Sequence, residues 1–336
     1  MKSSFGMAIL MWHLGCLLML GSFINCGSVL PQTEREARIL VIHSYHIEFD
    51  WTQTIDEGIM EVLRNKGYRI MKYFMDTKRH TDEPFIRQAS QHALDLVKSF
   101  KPNVVIASDD NVQKYVGRFL VNRPDVSVVF CGVNDNPIRY GYPGHNVTGI
   151  RELPMLRSSL NLLKMVCPQV KSFTVFSSKG ATSNGFIHYL KTLNLDIQVD
   201  DIVATDSFSQ WKTAWLKIKS DAVITYEYHN LQENGQPVDP DIVLRWTVAH
   251  MNKPVIGFFA GDIQEGFLLG QVQSGFEQGE LAAKKAIEIL KGKKAGEIPI
   301  TIARGGLVVI NANTACRMGI DISPIENIAD EIFYRQ

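Results

Sequence analysis

The sequence predicts an α/β protein with two parallel sheets, each covered by helices on both faces. Short β-branched runs alternate with amphipathic helical stretches from Ala37 onward, which is the pattern of successive β-α units. The same alternation begins again after Gly149, so the units form two series. A length of 336 residues agrees with about two domains of ordinary size.

The first series opens with a continuous apolar run at residues 39–43, which predicts a buried strand. Asp50 is expected to cap the following helix, whose apolar residues fall on one face until Gly67 ends it. The other elements of this series are strands at about 69–74, 104–108 and 126–133 and helices at about 85–100 and 112–121.

The second series begins with a helix near residues 156–166 and ends with a strand near 255–259. Between them lie strands at about 173–177, 197–203 and 222–226 and helices at about 184–193, 209–219 and 240–251. The remaining residues supply a long helix at 279–291, a strand near 298–302 and a terminal strand-helix unit from Leu307 onward. We expect this last part to complete the two sheets rather than to form a third domain.

These two series predict two lobes joined by a hinge of several strands. The N-terminal lobe is expected to comprise residues 37–150 and about 274–302, and the C-terminal lobe residues 151–273 and about 303–336. The chain then passes between the lobes several times, and a crevice between two lobes is a common place for a small-molecule site.

The charge composition argues against a nucleic-acid partner. Lys plus Arg and Asp plus Glu number 35 each, so the formal net charge is zero. No net field of either sign would then attract a polyanion or an anionic membrane surface. The composition, 45% hydrophobic and 21% charged, is that of an ordinary globular protein.

The first 30 residues are interpreted as an export signal and not as part of the fold. Lys2 precedes an apolar run from Met7 to Leu20, and small residues follow, as a cleavage region requires. The run is shorter than the roughly 20 residues that a membrane span needs, although a retained anchor is an alternative. Cys26 lies where a bacterial lipoprotein carries its acylated cysteine, so lipidation is another alternative. The mature protein is therefore expected outside the cytoplasm, in the periplasm or an equivalent compartment.

Three cysteines, Cys131, Cys167 and Cys316, remain in the body of the chain. Their number is odd and their spacing matches no zinc motif, so neither a disulfide framework nor a zinc site is predicted. We expect all three to be free thiols that serve as packing residues.

Polar residues collect directly after the predicted strands. In open parallel sheets ligands bind beyond the carboxyl ends of the strands, so these loops are where a site is expected. The polar loops lie at residues 43–46, 108–111 and 132–136 in the first lobe and at 177–184, 226–229 and 260–262 in the second. Each loop leads into a helix, and its Ser, Asn and Asp residues can equally be helix caps. Six such loops with carboxylates, amides and aromatic rings predict a site for a small zwitterion.

Motifs for catalysis and for metal binding are weak. His43 and His46 form an H-x-x-H pattern near Asp50, but the segment is a strand end, not a helix that would present both rings on one face. The chain has no G-x-S-x-G elbow, no P-loop and no dinucleotide-binding glycine motif, so no cofactor and no metal are predicted. A hydrolytic enzyme that pairs His43 or His46 with Asp109 as acid and base is an alternative.

Five segments resemble one protein family along nearly the whole chain. They are G-V-N-D-N-P at 132–137, N-V-T-G-I at 146–150, L-N-L-L-K-M-V-C-P at 160–168, A-I-E-I-L-K-G at 286–292, and the closing stretch at 296–322. On these segments the chain resembles the periplasmic substrate-binding proteins of ABC transporters, in the tryptophan/tyrosine-type group of the type I periplasmic-binding fold. The resemblance implies a non-enzymatic protein that closes on a small organic solute, such as an aromatic amino acid, and presents it to an ABC permease in the membrane.

The resemblance also implies which residues bind the solute. They lie in the strand-end loops and are Ser44, Tyr45, Asp109, Asn134, Ser183, Asn184, Tyr226 and Asp262. The two aspartates and Asn134 are predicted to hold a charged head, and the two tyrosines are predicted to pack on an apolar or aromatic body. A monomer is expected.

Two loops depart from the family pattern. The family often has small residues where this chain has Asp109, Asp110 and Asn111, and the first strand-end loop, at 43–51, is bulkier and more aromatic than usual. That first loop is similar to the version found in related proteins linked to sensory signalling. A sensory module that reports its ligand to a separate membrane receptor is therefore the competing function.

Overall fold

The computed structural model of the chain describes residues 36–334. The predicted signal segment at 1–30, with Cys26, lies outside the described residues. The strands, in chain order, are β1 (Arg38–His43), β2 (Arg69–Phe74), β3 (Val104–Ser108), β4 (Ser127–Val133), β5 (Val147–Arg151), β6 (Ser172–Ser177), β7 (Gln198–Ala204), β8 (Ala222–Thr225), β9 (Gln232–Glu233), β10 (Gln236–Pro237), β11 (Val255–Ile256), β12 (Leu269–Val272), β13 (Thr301–Ile302), β14 (Leu307–Asn311) and β15 (Glu331–Phe333).

The helices lie mostly between consecutive strands. In chain order they are α1 (Asp50–Leu63), α2 (Glu83–Phe100), α3 (Asp109–Tyr115), α4 (Leu156–Val166), α5 (Ala181–Thr192), α6 (Phe208–Trp215), α7 (Pro240–Ala249), α8 (Ala260–Glu265), α9 (Gly275–Leu290), α10 (Ala312–Met318) and α11 (Ser323–Glu326). Short 3₁₀ turns occur at Gly117–Phe119, Pro137–Tyr140 and Ala295–Glu297. The alternation predicted from the sequence is thus present in both halves of the described chain.

The first sheet has the strand order β13-β5-β4-β3-β1-β2, and every neighbouring pair is parallel. Ile39, Leu40, Val41 and Ile42 of β1 have no exposed surface, because this strand lies inside the sheet and helices cover both faces. Successive side chains point to opposite faces, so Leu40 and Ile42 pack with residues of α2, and Ile39 and Val41 pack with residues of α1 and α9.

Helices α1 and α9 pack closely together on one face of the first sheet. A Cβ atom at Gly279 would lie 2.0 Å from the carbonyl oxygen of Ile55, and one at Gly58 would lie 2.0 Å from that of Phe276. The two glycines therefore allow the helix backbones to touch. This contact attaches α9, which begins at the connection between the sheets, to the first lobe.

The second sheet has the strand order β15-β14-β12-β11-β8-β6-β7. The sequence predicts parallel strands, but β14 runs antiparallel to β12, with Val272 opposite Leu307. The reason is the path of the chain. It leaves this lobe at the end of β12 and returns at the same place to start β14, so the two strands run in opposite directions.

The chain passes between the two sheets at residues 152–155, 273–274 and 303–306. The carboxylate of Glu277, in the first turn of α9, accepts hydrogen bonds from the backbone N–H groups of residues 304, 305 and 306 at 2.8 to 3.1 Å. The side chain of Gln278 accepts one from the N–H of Gly132 at 3.0 Å. The start of α9 therefore ties a crossing segment to the strand ends of the first lobe.

Three local expectations are wrong. Asp50 does not cap α1, because the helix begins at Asp50 and the preceding Phe49 supplies the carbonyl that accepts the N–H of Gln53. The helix expected at 112–121 begins earlier, at the first residue after β3, and ends at Tyr115. Cys316 is exposed and does not pack in a core, whereas the other two cysteines are buried, and all three thiols are free.

Candidate ligand-binding site

The carboxyl ends of the two sheets face each other across a cavity of about 170 Å³. Its lining includes Asn134 and Glu152 from the first lobe and Thr182, Tyr226, Glu227 and Phe258 from the second. The loops after β4 and β5 thus form one wall, and the loops after β8 and β11 with the first turn of α5 form the other. The cavity lies in the crevice where the sequence analysis expects a ligand.

Asp109 lies at the end of β3 with 3% of its surface exposed. The indole N–H of Trp51 donates to one carboxylate oxygen at 2.7 Å, and the hydroxyl of Ser108 donates to the other at 3.2 Å. Its φ of +67° is left-handed, which is uncommon for a residue with a side chain and is found at functional sites. Gly132 leaves room for the carboxylate, since a Cβ there would lie 2.9 Å from Asp109 Oδ1. Burial raises the pKa of Asp109 to about 7.

Asp110 holds the neighbouring loop in place. Its carboxylate accepts hydrogen bonds from the hydroxyl of Tyr140 at 2.7 Å and from the backbone N–H groups of Asn134 and Asp135 at 3.2 and 3.3 Å. Burial also raises the pKa of this carboxyl group. The family departure at Asp110 therefore fixes the backbone of the loop that carries the predicted ligand residue Asn134.

Glu152 is a site residue that the sequence analysis missed. It directly follows β5 and lines the cavity. Burial, followed by the charge of Asp109, raises the pKa of Glu152 to about 8. Glu152, Asp109 and Asp110 are called the acidic cluster below. Within residues 36–334 no ion pair involves these three carboxylates, although the charge of Lys78 acts on Asp109 and that of Arg151 acts on Asp110.

Tyr45 lies beside the acidic cluster. Burial and then the charges of Asp109 and Asp110 raise the pKa of its hydroxyl group. Its ring packs edge-on against Phe49, with centroids 5.6 Å apart. The ammonium of Lys78 lies 5.3 Å from the centroid of Tyr45 and 4.7 Å from that of Phe49. The bulky first loop thus adds two rings to the first lobe, and Lys78, from the turn after β2, adds a cation beside them.

Ser44 is fully buried and has both of its hydrogen-bonding roles filled. Its hydroxyl donates to the carbonyl of Ser108 at 2.8 Å and accepts from the N–H of Val112 at 3.0 Å. This side chain therefore joins β1 to β3 and α3, and it lies behind the wall that faces the cavity.

His43 belongs to a buried chain of hydrogen bonds and does not contact Asp109 directly. Its Nδ1 lies 3.0 Å from the hydroxyl of Ser108, and its Nε2 lies 3.4 Å from Asp56, which pairs with Lys72 at 2.6 Å. His43 and Ser108 have no exposed surface, and burial lowers the pKa of His43. A solute in the cavity therefore cannot reach this imidazole. His46 instead lies 3.3 Å from Asp76.

The second-lobe wall is built on three rings, Phe186, Tyr226 and Phe258, called the aromatic wall below. The centroid of Tyr226 lies 4.2 Å from that of Phe186 and 6.0 Å from that of Phe258. All three are at least nine-tenths buried in the core of this lobe, which holds them rigidly. Burial and then the charge of Glu152 raise the pKa of the Tyr226 hydroxyl, so this group lies within electrostatic reach of the opposite wall.

Asp262 is buried on α8 and lies next to the cavity lining. One carboxylate oxygen accepts the hydroxyl of Tyr228 at 2.6 Å, while the other is buried and has no partner. Burial raises the pKa of Asp262 to about 6. The neighbouring Glu227 is half-buried, and hydrogen bonds from His229 lower its pKa. Glu227 thus has a partner from its own lobe, whereas one oxygen of Asp262 has none.

The loop before α5 places its two predicted residues differently. Ser183 is buried and accepts a hydrogen bond from Ser177 at 2.8 Å. Asn184 is exposed, and the neighbouring Thr182 lines the cavity. Two hydroxyl groups at this end of the sheet, those of Ser178 and Thr225, are buried without a partner.

Of the predicted ligand residues, Asn134 and Tyr226 line the cavity, whereas Tyr45, Asp109 and Asp262 are not among its lining residues. Ser44 and Ser183 are buried in the walls behind it. Residues that the sequence analysis missed include Glu152, Phe258 and Trp51. Glu152 could have been found, because it follows the N-V-T-G-I segment at a strand end. Trp51 could not, because it approaches Asp109 from another element.

Two further properties concern only the part of the chain that the structure describes. Between residues 36 and 334, no cluster of three or more His, Cys, Asp or Glu side chains is arranged to hold a metal ion. No helix in the same range combines the length and the apolar character needed to cross a membrane.

Comparisons with solved structures agree with this architecture. The chain is similar to a ligand-free, open substrate binding protein with adhesive properties from Clostridium difficile, with 15% identity and a TM-score of 0.66 over 89% of this chain and 100% of that one. It is also similar to the ABC domain in complex with L-Trp from Streptococcus pneumonia, with 20% identity and a TM-score of 0.59 over 89% and 100% of the two chains. These likenesses show a type I periplasmic-binding-protein fold.

Sequence comparison adds a family and a relative. The Tyrosine-binding protein of Clostridioides difficile (strain R20291) is 26% identical over 216 residues, which are 61% of this chain and 60% of that protein's length. The model of the family described as ABC transporter substrate binding protein matches residues 41–332. The match covers most of the chain, and the protein therefore belongs to the ABC transporter substrate binding protein family.

Proposed function

We propose that this protein binds a small solute with an ammonium group and an aromatic body in the cavity between its lobes. The observation that carries the proposal is the pairing of two unlike walls, an acidic cluster on the first lobe and an aromatic wall on the second. Aromatic amino acids have both features. A tyrosine-binding relative and a structural neighbour in complex with L-Trp support this class of solute.

The acidic cluster is suited to an ammonium group. Its carboxylates accept hydrogen bonds from neutral groups such as Trp51 and Tyr140, and no protein cation pairs with them in the described chain. A cation between Asp109 and Glu152 would stabilise their ionised forms, which burial disfavours. Charge-assisted hydrogen bonds of this kind are about twice as strong as neutral ones.

The aromatic wall is suited to an aromatic body. The rings of Tyr226 and Phe258 line the cavity and are held by packing against Phe186. Aromatic pairs in offset or edge-on geometry contribute about 0.5 to 1.5 kcal/mol beyond the area that they bury. We infer that the second lobe selects the shape of the solute.

The size of the cavity implies that the lobes move. About 170 Å³ is smaller than the roughly 300 Å³ at which small-molecule sites begin. We infer that the lobes separate to admit the solute and that the bound solute favours a closed arrangement about the crossing segments.

The proposed role is binding and delivery, without catalysis. The acid–base alternative needs an accessible histidine beside Asp109, but His43 is buried next to Ser108 and His46 lies against Asp76 instead. We further propose that residues 1–30 direct export, that the mature protein is monomeric, and that the lobes have the bounds expected from the sequence except that the first lobe extends through the end of β5 at Arg151. The mass of the exported protein distinguishes plain cleavage from lipidation of Cys26.

The test is a thermal-shift screen followed by calorimetry. L-Tyrosine, L-tryptophan and L-phenylalanine are expected to raise the melting temperature, because a ligand at about 100 times its dissociation constant stabilises the folded state by about 2.7 kcal/mol. Glu152→Gln and Asp109→Asn are each expected to weaken binding about tenfold or more, since each removes a hydrogen bond of about 1.5 to 3 kcal/mol to a charged group. Asn suits the left-handed backbone at position 109.

The matched control is Glu61→Gln, which removes an exposed carboxylate from α1 of the same lobe. It should bind as the unaltered protein does. Unchanged affinity in both site variants would contradict the proposal.

A further inference from the structure

Arg151, the last residue of β5, has a half-buried guanidinium group without a partner. Its side chain takes part in no hydrogen bond and no ion pair with any other residue of the range 36–334, and its Nε is buried and unpartnered. Burial lowers the pKa of this guanidinium. A buried cation without a partner destabilises a folded protein, so a role beyond folding is expected here.

The carboxylates nearest to Arg151 are already engaged. The charges of Asp110 and Asp135 act on the guanidinium, but neither forms an ion pair with it. Asp110 accepts the hydroxyl of Tyr140 and two backbone N–H groups, and Asp135 pairs with Arg139 at 2.8 Å. The donors of Arg151 therefore stay available although acids lie close by.

Arg151 also lies at the gap between the lobes. The next residue in the chain, Glu152, lines the cavity. Tyr189, on α5 of the opposite lobe, lies within electrostatic range of the guanidinium, and the first turn of α5 contributes Thr182 to the cavity lining. Arg151 and the acidic cluster thus present opposite charges on the same wall without pairing with each other.

We propose that Arg151 binds the carboxylate of the solute whose ammonium is held by the acidic cluster. This inference rests on the proposed function and narrows the solute class to amino acids, as opposed to amines that lack a carboxylate. A guanidinium fork binds a carboxylate through two parallel N–H donors, so both charged groups of a zwitterion find a partner on the first-lobe wall. Arg151 is then a specificity-determining residue of the site.

The test compares L-tyrosine with tyramine, which has the same ring and amine but no carboxylate. The unaltered protein is expected to bind L-tyrosine at least tenfold more tightly. Arg151→Gln is expected to lower the affinity for L-tyrosine about tenfold or more and to leave that for tyramine within about twofold. Arg157→Gln, which removes an exposed cation that also acts on Tyr189, is the matched control and should change neither affinity.

A stability measurement separates this role from a structural one. Without solute, Arg151→Gln should melt at the same temperature as the unaltered protein or higher, because it removes an unpaired buried charge. A lower melting temperature, or an equal loss of affinity for both ligands, overturns the inference, since either result indicates that Arg151 stabilises the folded structure instead of binding the carboxylate.

The two proposals fail in different ways. If Glu152→Gln weakens both ligands and Arg151→Gln weakens neither, only the role of Arg151 is wrong. If the unaltered protein binds neither L-tyrosine nor tyramine, the proposed function is wrong and the inference falls with it.

Discussion

The two walls of the cavity differ in how their charged groups are satisfied. On the first-lobe wall, Asp109 and Glu152 have raised pKa values and no cationic partner in the described chain. On the second-lobe wall, the cavity-lining carboxylate is Glu227, which is paired with His229 and has a lowered pKa. The difference indicates a division of work. The first lobe supplies carboxylates with which a cationic solute can pair, and the second lobe supplies an apolar surface that is already formed.

The largest expected effect is a dependence of affinity on pH that originates in the first-lobe wall. The pKa values of Asp109 and Glu152 are raised to about 7 and about 8, so these groups are partly protonated near neutrality. An ammonium favours their ionised forms, so binding releases protons and the affinity rises with pH from about 6 to about 8. One linked proton changes the affinity up to about tenfold per pH unit below the pKa.

Calorimetry in buffers of different ionisation enthalpy measures the released protons. Asp109→Asn should reduce their number, whereas an Asp at a distant exposed position such as Asp95 should be replaceable by Asn without effect. An affinity that is constant between pH 6 and 8 would show that the acidic cluster does not bind the ammonium group of the solute.

A smaller effect is expected from the second-lobe wall. Phe258→Leu retains an apolar side chain but removes a ring that lines the cavity beside Tyr226. The affinity for L-tyrosine should fall about twofold to tenfold, in line with the 0.5 to 1.5 kcal/mol of an aromatic contact. The slope of affinity against pH should not change. Leu269→Ile, in the core of the same lobe, controls for altered packing, and a changed slope in Phe258→Leu would contradict the separation of the two walls.

The smallest effect on binding is expected at Ser44. Ser44→Ala removes a hydroxyl that donates to the carbonyl of Ser108 and accepts the N–H of Val112, and it should lower the free energy of unfolding by about 1 to 2 kcal/mol. Affinity should stay within about twofold, because this hydroxyl is turned into the lobe. Denaturant unfolding measures the first quantity and calorimetry the second. A tenfold loss of affinity with unchanged stability would place Ser44 among the solute contacts instead.

Features that depend on local sequence could be predicted, whereas features that depend on contacts between distant elements could not. Strand β1 is readable from the sequence because a central parallel strand is apolar at every position, as Ile39 to Ile42 are. The antiparallel pairing of β14 with β12 is not readable, since it depends on where the chain re-enters the lobe. Asp109 could be predicted as a site residue because it follows a strand. Its partner Trp51 lies on a different element and could not be predicted.

By itself, the sequence determined the alternation of strands and helices, the two lobes and the polar strand ends, because these follow from local hydrophobic periodicity and from the rule that parallel strands end together. Only the tertiary structure decided which polar residues face the cavity. Ser44 and Asp109 are both polar and both follow buried strands. The hydroxyl of Ser44 forms both of its hydrogen bonds with backbone groups inside the lobe, whereas the carboxyl group of Asp109 is buried beside the crevice and has a raised pKa. That distinction depends on partners more than 50 positions away in the chain, such as Trp51 for Asp109 and Val112 for Ser44, and such partners come together only when the elements pack.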